Sequence, residues 1–400
     1  MSPTIRVLEH PQESGAGLRV FGRAMVGLAG INALDPDQVL EPGRFLGAFD
    51  GDQIVGGADS YTSWLVVPGG ARVPHAAVTH IGVLPTHTRR GIVSGLVAAQ
   101  FADFAQRGEV VATLRASEAT IYGRFGYAVA SSAASIEVTR ARAALLPGVA
   151  DPGAVQLIDT GETPQTASAI YGDAQWVGAI ARPAGWWNLR NAQRAKSTAP
   201  GYLVTFSEDG ATTGYARYQA ADPDHWFGGD RREIIVDDLV AHTDDAYLAL
   251  IRHLLGLDLV DFVTFSSRPV DDPLPLLFAD RRAAKINSVH DETWLRLIDV
   301  EAALSARSYR DGPPVKISVT DPVIAVNSAT FEVGPDEVRR TDAAPDLLVD
   351  ITGLGAAYLG GTTFAQLSFA GRATETTPGA LAGGDLLFGT IREPYSGTVF

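Results

Sequence analysis

An apolar stripe in the first third of the chain predicts an amphipathic helix. Apolar residues recur there at the three- and four-residue spacing of one helix face, and Arg107-Gly108 then provides a helix stop. The positions that carry the stripe are Val93, Val97, Phe101 and Phe104. The residues before it, 81–85, form a short apolar run that ends at a proline. The pattern therefore predicts a strand, a short basic turn and a helix in succession.

Beyond residue 150 the apolar pattern alternates between strand-like and helix-like periods. Strands are predicted over residues 156–158, 202–206, 214–218, 233–240, 293–298, 315–319, 331–333 and 347–351. Helices are predicted over residues 183–188, 246–255, 351–358 and 364–369. Such a mixture is typical of an α+β protein.

The length and the breaks in the pattern predict several domains. At roughly 150 residues per domain, 400 residues correspond to two or three. Residues 145–148 and 151–153 are rich in proline and glycine, and a new strand follows them. We predict domains at residues 1–150, 151–295 and 296–400.

Composition indicates a globular chain, with 46% hydrophobic and 20% charged residues. No apolar run reaches the roughly 18 residues of a membrane span, and residues 1–6 lack the apolar region of a signal peptide. The chain has no cysteine, so neither a disulfide framework nor a thiol nucleophile is available. We predict a cytoplasmic protein with no membrane partner.

The acidic charge balance limits the choice of partners. A formal charge of −14 argues against nonspecific nucleic-acid binding and favours a cationic substrate, although acidity also serves solubility alone. None of the eight histidines has the spacing of a His-x-x-x-His metal site, so we predict no metal. No Gly-x-Ser-x-Gly elbow or Walker loop is present, which gives hydrolase and nucleoside-triphosphatase functions no support.

The turn before the helix reads Arg89-Arg90-Gly91. A helix N-terminus presents unpaired main-chain N–H groups, and these together with two arginines suit a pyrophosphate. Glycine at the third position lets the backbone approach such a group. Coenzyme A is a ligand of this chemistry, and a solvated basic turn on a surface helix is the alternative reading.

Two segments together resemble a known family. Residues 87–91 and 116–127, the latter ending Ile121-Tyr122-Gly123-Arg124-Phe125-Gly126-Tyr127, resemble the enhanced intracellular survival (Eis) family of aminoglycoside acetyltransferases within the GNAT superfamily. The resemblance implies acetyl-CoA as co-substrate, bound along a splayed strand and in the basic turn. The implied coenzyme positions are Ile81, Gly82, Val83, Arg89, Arg90, Gly91, Ile92, Val93, Ser94, Ser117 and Glu118. Thr88 and Val93 depart from the usual superfamily motif; binding through backbone amides tolerates both.

The resemblance also implies an architecture. It consists of two GNAT-like domains, the second degenerate because it lacks an Arg-Arg-Gly turn, followed by a sterol-carrier-like domain. The family further implies a homo-oligomer, in the form of a hexamer. For the third domain we favour a structural and assembly role over lipid binding.

Acyl transfer requires an acid for the departing thiolate, an oxyanion donor and a means of handling the amine proton. The resemblance places Tyr122 as the acid, on a short helix that we expect Ser117 to cap; a core aromatic is its alternative role. It also places the carboxylate of Phe400 in the active site, as base or as the group that orients the ammonium. A backbone N–H near Val83 is the expected oxyanion donor. We expect His80 to be structural rather than catalytic, and at least one of Trp186 and Trp187 to be core.

The substrate prediction is an N-acetyltransferase acting on a primary amine of a cationic, aminoglycoside-like molecule through a ternary complex. The family's acidic residue on an early helix is absent from residues 21–26, while Asp35, Asp37 and Glu41 follow closely. Lysine and polyamine amines therefore stay open as substrates. The alternative class is an acyl-CoA sensor or a lipid-binding module without amine-dependent turnover.

Overall fold

The structure, a computed structural model, describes residues 3–25, 28, 34–159 and 163–400. Its strands in chain order are β1 (Thr4–Val7), β2 (Leu46–Asp50), β3 (Gln53–Val66), β4 (Arg72–Val83), β5 (Val111–Leu114), β6 (Ala128–Thr139), β7 (Gln156–Ile158), β8 (Gly201–Glu208), β9 (Ala211–Ala220), β10 (Glu233–Ala241), β11 (Phe262–Pro269), β12 (Ala284–Leu297), β13 (Val315–Thr320), β14 (Ala329–Val333), β15 (Val338–Thr341), β16 (Leu347–Asp350) and β17 (Ala373–Glu375).

The helices in chain order are α1 (Gln12–Ala24), α2 (Pro36–Val39), α3 (Ile92–Gln106), α4 (Ala119–Tyr122), α5 (Thr163–Tyr171), α6 (Ala184–Arg194), α7 (Asp244–Gly256), α8 (Val300–Ala306), α9 (Ile351–Ala357), α10 (Phe364–Phe369) and α11 (Ala380–Phe388). Every predicted strand and helix named above overlaps one of these elements, and the α+β prediction is confirmed. No described helix is both long and apolar enough to cross a bilayer.

The chain divides into two compact units. The first comprises residues 1–131, 176–189 and 291–400, and the second comprises residues 132–175 and 190–290. The three predicted domain boundaries are drawn on sequence patterns and stay predictions.

In the first unit, one sheet has the order β1-β2-β3-β4-β5-β12. Neighbouring strands run antiparallel except β4 and β5, which are parallel and joined through α3. A parallel pair needs such a crossover, and the apolar stripe of α3 covers the sheet. Val97, Phe101 and Phe104 are buried as predicted, whereas Val93 is partly buried. The predicted strand, turn and helix are confirmed.

The first unit also contains a five-stranded sheet with the order β15-β14-β13-β16-β17. Helices α8 to α11 belong to this part of the chain, and its core includes Phe331, Phe364 and Leu387, all fully buried. A buried ion pair joins β12 to the loop after β13. Nη2 of Arg296 lies 2.6 Å from Oδ2 of Asp321, and neither side chain is exposed. Both sheets of this unit therefore share charged as well as apolar interior contacts.

The strands of the second unit lie in the order β6-β11-β10-β9-β8-β7. Helix α7 packs on β8 and β9, and Leu250, Leu254 and Val263 are fully buried in its core. Thr243 caps α7 by accepting a hydrogen bond from the main-chain N–H of Ala246. This unit contains the predicted alternation of strands and helices but, as its sequence shows, no Arg-Arg-Gly turn.

Candidate active site

Strand β4 separates from its neighbour part-way along. It pairs with β3 up to Val83, but its parallel register with β5 ends at the pair Val78 and Leu114. Ile81, Gly82 and Val83 therefore lie beyond the last residue that β5 pairs. Main-chain groups on that side are available to an extended ligand. This separation of β4 from β5 corresponds to the predicted splayed strand.

Gly82 also has a packing role. A Cβ there would lie 3.2 Å from the Cα of Phe21 and 3.0 Å from the Cβ of Ala24 on α1. Such distances leave no room for a side chain without moving the helix. The glycine therefore keeps α1 close to the splayed part of β4.

The basic turn leads into α3 with a left-handed backbone. Residues Pro85–His87 form a 3-10 turn, Arg89 has φ +63°, and Gly91 has φ +77° at the N-cap of α3. A Cβ on Gly91 would meet no protein atom within 4 Å, so the protein itself requires glycine there for its φ rather than for space.

The same turn is open to a ligand. Arg89, Arg90, Gly91 and Ser94 are exposed, while Ile92 is buried beneath the turn. The first N–H groups of α3, on Ile92, Val93 and Ser94, precede the helix's own hydrogen-bond ladder. Two cationic side chains thus flank a helix N-terminus, and this arrangement fits the diphosphate of coenzyme A.

The short helix α4 begins differently from the expectation. Its N-cap is Glu118, whose carboxylate accepts hydrogen bonds from the main-chain N–H and the hydroxyl of Thr120. Ser117 is exposed and lies one residue before the cap, so the prediction that it caps the helix was wrong. The Glu118 carboxylate lies one residue nearer the helix, where it accepts from a free N–H group and places a negative charge at the helix N-terminus.

Tyr122 ends α4 and is 6% exposed. It packs in one cluster with Val78 and Leu114, the last pair of the β4 and β5 register, and Ile81 lies against the same cluster. Burial raises the pKa of the Tyr122 phenol above its ordinary value of 10. The phenol is therefore a proton donor at neutral pH, placed where β4 and β5 separate.

A buried carboxylate fixes the last residues of the chain. Glu292 is 2% exposed and accepts hydrogen bonds of 2.8 Å from the main-chain N–H groups of Ser396 and Gly397. Its other contacts are the hydroxyl of Ser131 at 2.9 Å and the guanidinium of Arg115 at 3.2 Å. No local sequence pattern marks Glu292, so it is absent from the predicted site residues.

Three further side chains bind the carbonyl side of the same segment. Arg115 donates to the carbonyl of Thr398, Arg182 donates to the carbonyl of Gly397 at 2.8 Å, and Trp186 donates to the carbonyl of Val399 at 2.7 Å. Trp186 and Trp187 are each 6% exposed. Both tryptophans are core residues, as expected of at least one, and Trp186 is also a hydrogen-bond donor to the terminal segment.

Phe400 lies where this segment ends, beside a small cavity of about 30 Å³. Its ring contacts Tyr61 edge to face at 5.7 Å between centroids. The cavity is lined mainly by acidic and aromatic side chains, namely Glu41, Asp59, Tyr61, His80, Trp186 and Phe400, with Val39, Thr79, Gly185 and Leu189. A cavity of this size admits an ammonium-sized group rather than a whole substrate, and its carboxylates favour a cationic group there.

The three acidic candidates near α1 have separate places. Asp35 caps α2, and Asp37 pairs with His10 at 2.7 Å. Only Glu41 lines the cavity, held by hydrogen bonds of 2.7 Å from the main-chain N–H and the hydroxyl of Thr62. Residues 21–25 lie on or just after α1, and Val26 of the same stretch is outside the described residues.

Metal ligands are not grouped in the described ranges: no three or more histidine, aspartate or glutamate side chains are placed to share an ion there.

Comparison with known families matches three segments that together cover most of the chain. Residues 33–130 and residues 178–297 each match a family described as an acetyltransferase (GNAT) domain. Residues 300–397 match a family described as a sterol carrier protein domain. The prediction of two GNAT domains followed by a sterol-carrier-like domain is confirmed.

Full-length relatives lead to the same family. The N-acetyltransferase Eis of Mycobacterium tuberculosis is 34% identical over 82% of this chain and 81% of its own. The crystal structure of Eis1 from Mycobacterium abscessus superposes with a TM-score of 0.94 at 51% identity, covering all of both chains. The chain belongs to the Eis family of N-acetyltransferases. An uncharacterized N-acetyltransferase of Streptomyces avermitilis is also similar, at 33% identity over 88% of each chain.

Membership of the Eis family assigns the reaction class. The chain is an acyl-CoA-dependent N-acetyltransferase, and GNAT enzymes take acetyl-CoA as co-substrate. A GNAT protein from Anabaena variabilis shares the Eis fold of this chain, with a TM-score of 0.84 at 21% identity. The splayed β4, the exposed arginines and the glycine-capped helix fit that co-substrate.

Proposed function

We propose that this Eis-family enzyme transfers the acetyl group of acetyl-CoA to a primary amine of a cationic, aminoglycoside-like substrate within a ternary complex. The observation that carries the proposal is the acidic cavity at the end of the fixed terminal segment. Glu41, Asp59 and Phe400 line a space that also reaches Thr79 and His80 on β4. The amine and the thioester would therefore meet at the same strand.

The coenzyme would lie along β4 and across the turn. Backbone groups of Ile81, Gly82 and Val83 would pair with its pantetheine arm, and its diphosphate would bind at the helix N-terminus. The turn residues in this role are Arg89, Arg90, Gly91, Ile92, Val93 and Ser94, and Ser117 and Glu118 at the start of α4 would also contact the coenzyme. Because both arginines are exposed, their contribution should weaken as salt increases.

The acyl transfer would be direct. The amine attacks the thioester carbonyl, a main-chain N–H near Val83 stabilises the oxyanion, and the Tyr122 hydroxyl protonates the departing sulfur. The Phe400 carboxylate attracts and orients the ammonium group. A chain without cysteine has no thiol to carry the acetyl group, which supports transfer within a ternary complex.

The proposal extends to assembly and location. A homo-oligomer, hexameric by family resemblance, and a cytoplasmic site of action complete it. Sedimentation velocity would test the hexamer directly.

The first experiment measures free-thiol release from acetyl-CoA with aminoglycosides, polyamines and lysine peptides, beside calorimetric titration of the coenzyme. We expect amine-dependent release that is fastest with aminoglycosides, and intersecting initial-rate lines when both substrates are varied. Release with lysine or polyamine amines alone would overturn the substrate class. Coenzyme binding without release for any amine would instead support an acyl-CoA sensor.

A further inference from the structure

His80 has an unusual backbone at a defined irregularity of β4. Its φ is +49°, in the left-handed region that non-glycine residues seldom occupy. The register between β3 and β4 shifts at this point, between the pairs Gly57 with Gly82 and Asp59 with Thr79. Backbone strain of this kind persists only where the surroundings hold it, commonly in active sites.

The bulge brings an aspartate against the imidazole. His80 Nδ1 lies 3.0 Å from Oδ2 of Asp59, and the two side chains are 10% and 4% exposed. Gln100 donates to the carbonyl of Asp59 at 3.1 Å, which fixes that backbone to α3. A carboxylate at Nδ1 holds the proton on that nitrogen and leaves the lone pair on Nε2.

The other ring nitrogen is available to a ligand. No described residue hydrogen-bonds Nε2 of His80, although the side chain lines the acidic cavity. Phe21 meets the imidazole edge to face at 5.1 Å, and Phe45 lies at 6.4 Å. Apart from Asp59, the imidazole is bordered by these apolar rings and by the cavity, and a polar ligand would reach Nε2 from the cavity.

The charged and titratable groups around the imidazole come from three parts of the fold. Asp59 and Tyr61 lie on β3, Glu41 precedes β2, and the Phe400 carboxylate comes from the end of the chain. Two cations lie near the end of the chain. The guanidinium carbon of Arg115 is 6.0 Å from the centre of the Phe400 ring, and that of Arg182 is 4.5 Å from the centre of the Trp186 ring. The side facing the cavity is therefore anionic, which favours a substrate ammonium.

We propose that His80 is the general base that removes the proton from the substrate ammonium, with Asp59 as its positioning residue and the Phe400 carboxylate as the group that orients the amine. The assignment rests on the proposed function and deepens it. It replaces the expectation that His80 is structural. It also assigns proton removal to His80 and leaves the Phe400 carboxylate with the orientation of the amine.

The proton balance of the reaction is complete with these groups. One proton moves from the ammonium to Nε2 of His80 and then to solvent, and the freed lone pair forms the N–C bond. As the C–S bond breaks, the hydroxyl of Tyr122 protonates the sulfur. The second amine proton is lost from nitrogen as the amide forms, and through water it restores the phenol. The net products are the acetylated amine, coenzyme A and one proton.

The test compares His80→Asn with the wild-type enzyme. Asparagine tolerates the left-handed backbone and can donate to Asp59, but it cannot accept a proton at neutral pH. We expect kcat to fall by roughly 100-fold or more, the KM for acetyl-CoA to stay unchanged, and the acid limb of the kcat/KM profile between about pH 5 and 8 to disappear. His225→Gln is the matched control, because His225 forms an exposed pair with Asp222 at 2.9 Å.

Chemical rescue distinguishes a base from a structural residue. His80→Gly adopts the left-handed φ without strain and leaves space for free imidazole, which should restore turnover in a pH-dependent way. Asp59→Asn should give a smaller loss that keeps the pH-dependent limb. A folded His80→Asn enzyme with wild-type kcat and pH profile, or no rescue by imidazole, overturns the assignment. Absence of amine-dependent thiol release by the wild type overturns the proposed function instead.

Discussion

The carboxylate of Glu292 accepts a 2.8 Å hydrogen bond from the main-chain N–H of Ser396, which lies 104 residues further along the chain. The same carboxylate accepts a hydrogen bond from the main-chain N–H of Gly397, and Glu292 is 2% exposed. Because these ligands are backbone groups, the acid holds the main chain of the terminal segment. Together with Arg115, Arg182 and Trp186, it positions the segment that ends at Phe400.

Glu292→Gln is expected to loosen the terminal segment. The amide of glutamine keeps one acceptor oxygen but places an NH₂ group against a main-chain N–H. It also removes the negative charge that pairs with Arg115. We expect unfolding free energy to fall by about 3 kcal/mol and amine-dependent kcat/KM to fall with it, while coenzyme affinity is kept. Chemical denaturation and thiol release measure both.

Its matched control is Glu337→Gln. Glu337 forms an exposed pair with Arg339 at 3.3 Å, with a side chain that is 73% exposed. That variant should change stability by less than about 1 kcal/mol. Equal effects at both positions would contradict the role of Glu292.

Tyr122→Phe should lower kcat by roughly 100-fold and leave the Kd for acetyl-CoA unchanged, since only the proton donor is lost. Because burial raises the pKa of Tyr122 above 10, this phenol causes little loss of rate between pH 6 and 9 in the wild type. Tyr202→Phe, at a half-exposed tyrosine of the second unit, is the control. Unchanged kcat in Tyr122→Phe would remove this residue from the mechanism.

Gly91→Ala and Gly108→Ala separate coenzyme binding from backbone strain. Both glycines flank α3, have φ of +77° and +71°, and have open space where a Cβ would lie. Each alanine should cost about 1 kcal/mol of stability through its backbone. Only Gly91→Ala should raise the Kd for acetyl-CoA in calorimetry. A similar rise in both would place the diphosphate elsewhere.

Asp321→Asn should destabilise the protein by roughly 3–5 kcal/mol. It leaves the buried Arg296 guanidinium without its counter-charge, in a place where neither side chain reaches water. Asp280→Asn is the control, because Asp280 pairs with Arg142 at an exposed position and should cost under about 1 kcal/mol. Denaturant unfolding of the two variants gives the comparison, and similar losses would contradict a buried electrostatic role.

His75 makes stability depend on pH. Burial, and then the nearby Arg44, lower its pKa to about 3, and its Nε2 hydrogen-bonds Thr113 at 2.7 Å. Below about pH 6.5 His75 is protonated in the unfolded chain but stays neutral in the folded chain. The free energy of unfolding therefore falls as the pH drops from about 6.5 to about 3.

The corresponding variant is His75→Gln. It should be less stable than wild type at pH 7, yet its melting temperature should fall less steeply with acid. His290→Gln, at an exposed histidine, should keep the wild-type slope. A His75→Gln slope as steep as that of the wild type would assign the acid sensitivity to other groups.

The sequence by itself determined the local elements and the family. The stripe of Val97, Phe101 and Phe104, with glycine before it, defines α3 because helix periodicity and capping are properties of neighbouring residues. The segment around Tyr122 identified the reaction class for the same reason. The strands over residues 202–206, 233–240 and 315–319 were predicted from their own apolar runs, whereas β2, β3 and β11 were not predicted.

Tertiary structure decided which distant residues meet. Glu292 reaches Ser396 across 104 residues, and Asp59 reaches His80 across 21 through a shift in strand register. Neither contact has a periodic or compositional mark, because a buried carboxylate is defined by the partners that folding brings to it. The N-cap of α4 is a related case. Serine and glutamate both fit the sequence pattern of an N-cap, and the backbone geometry selects Glu118 rather than Ser117.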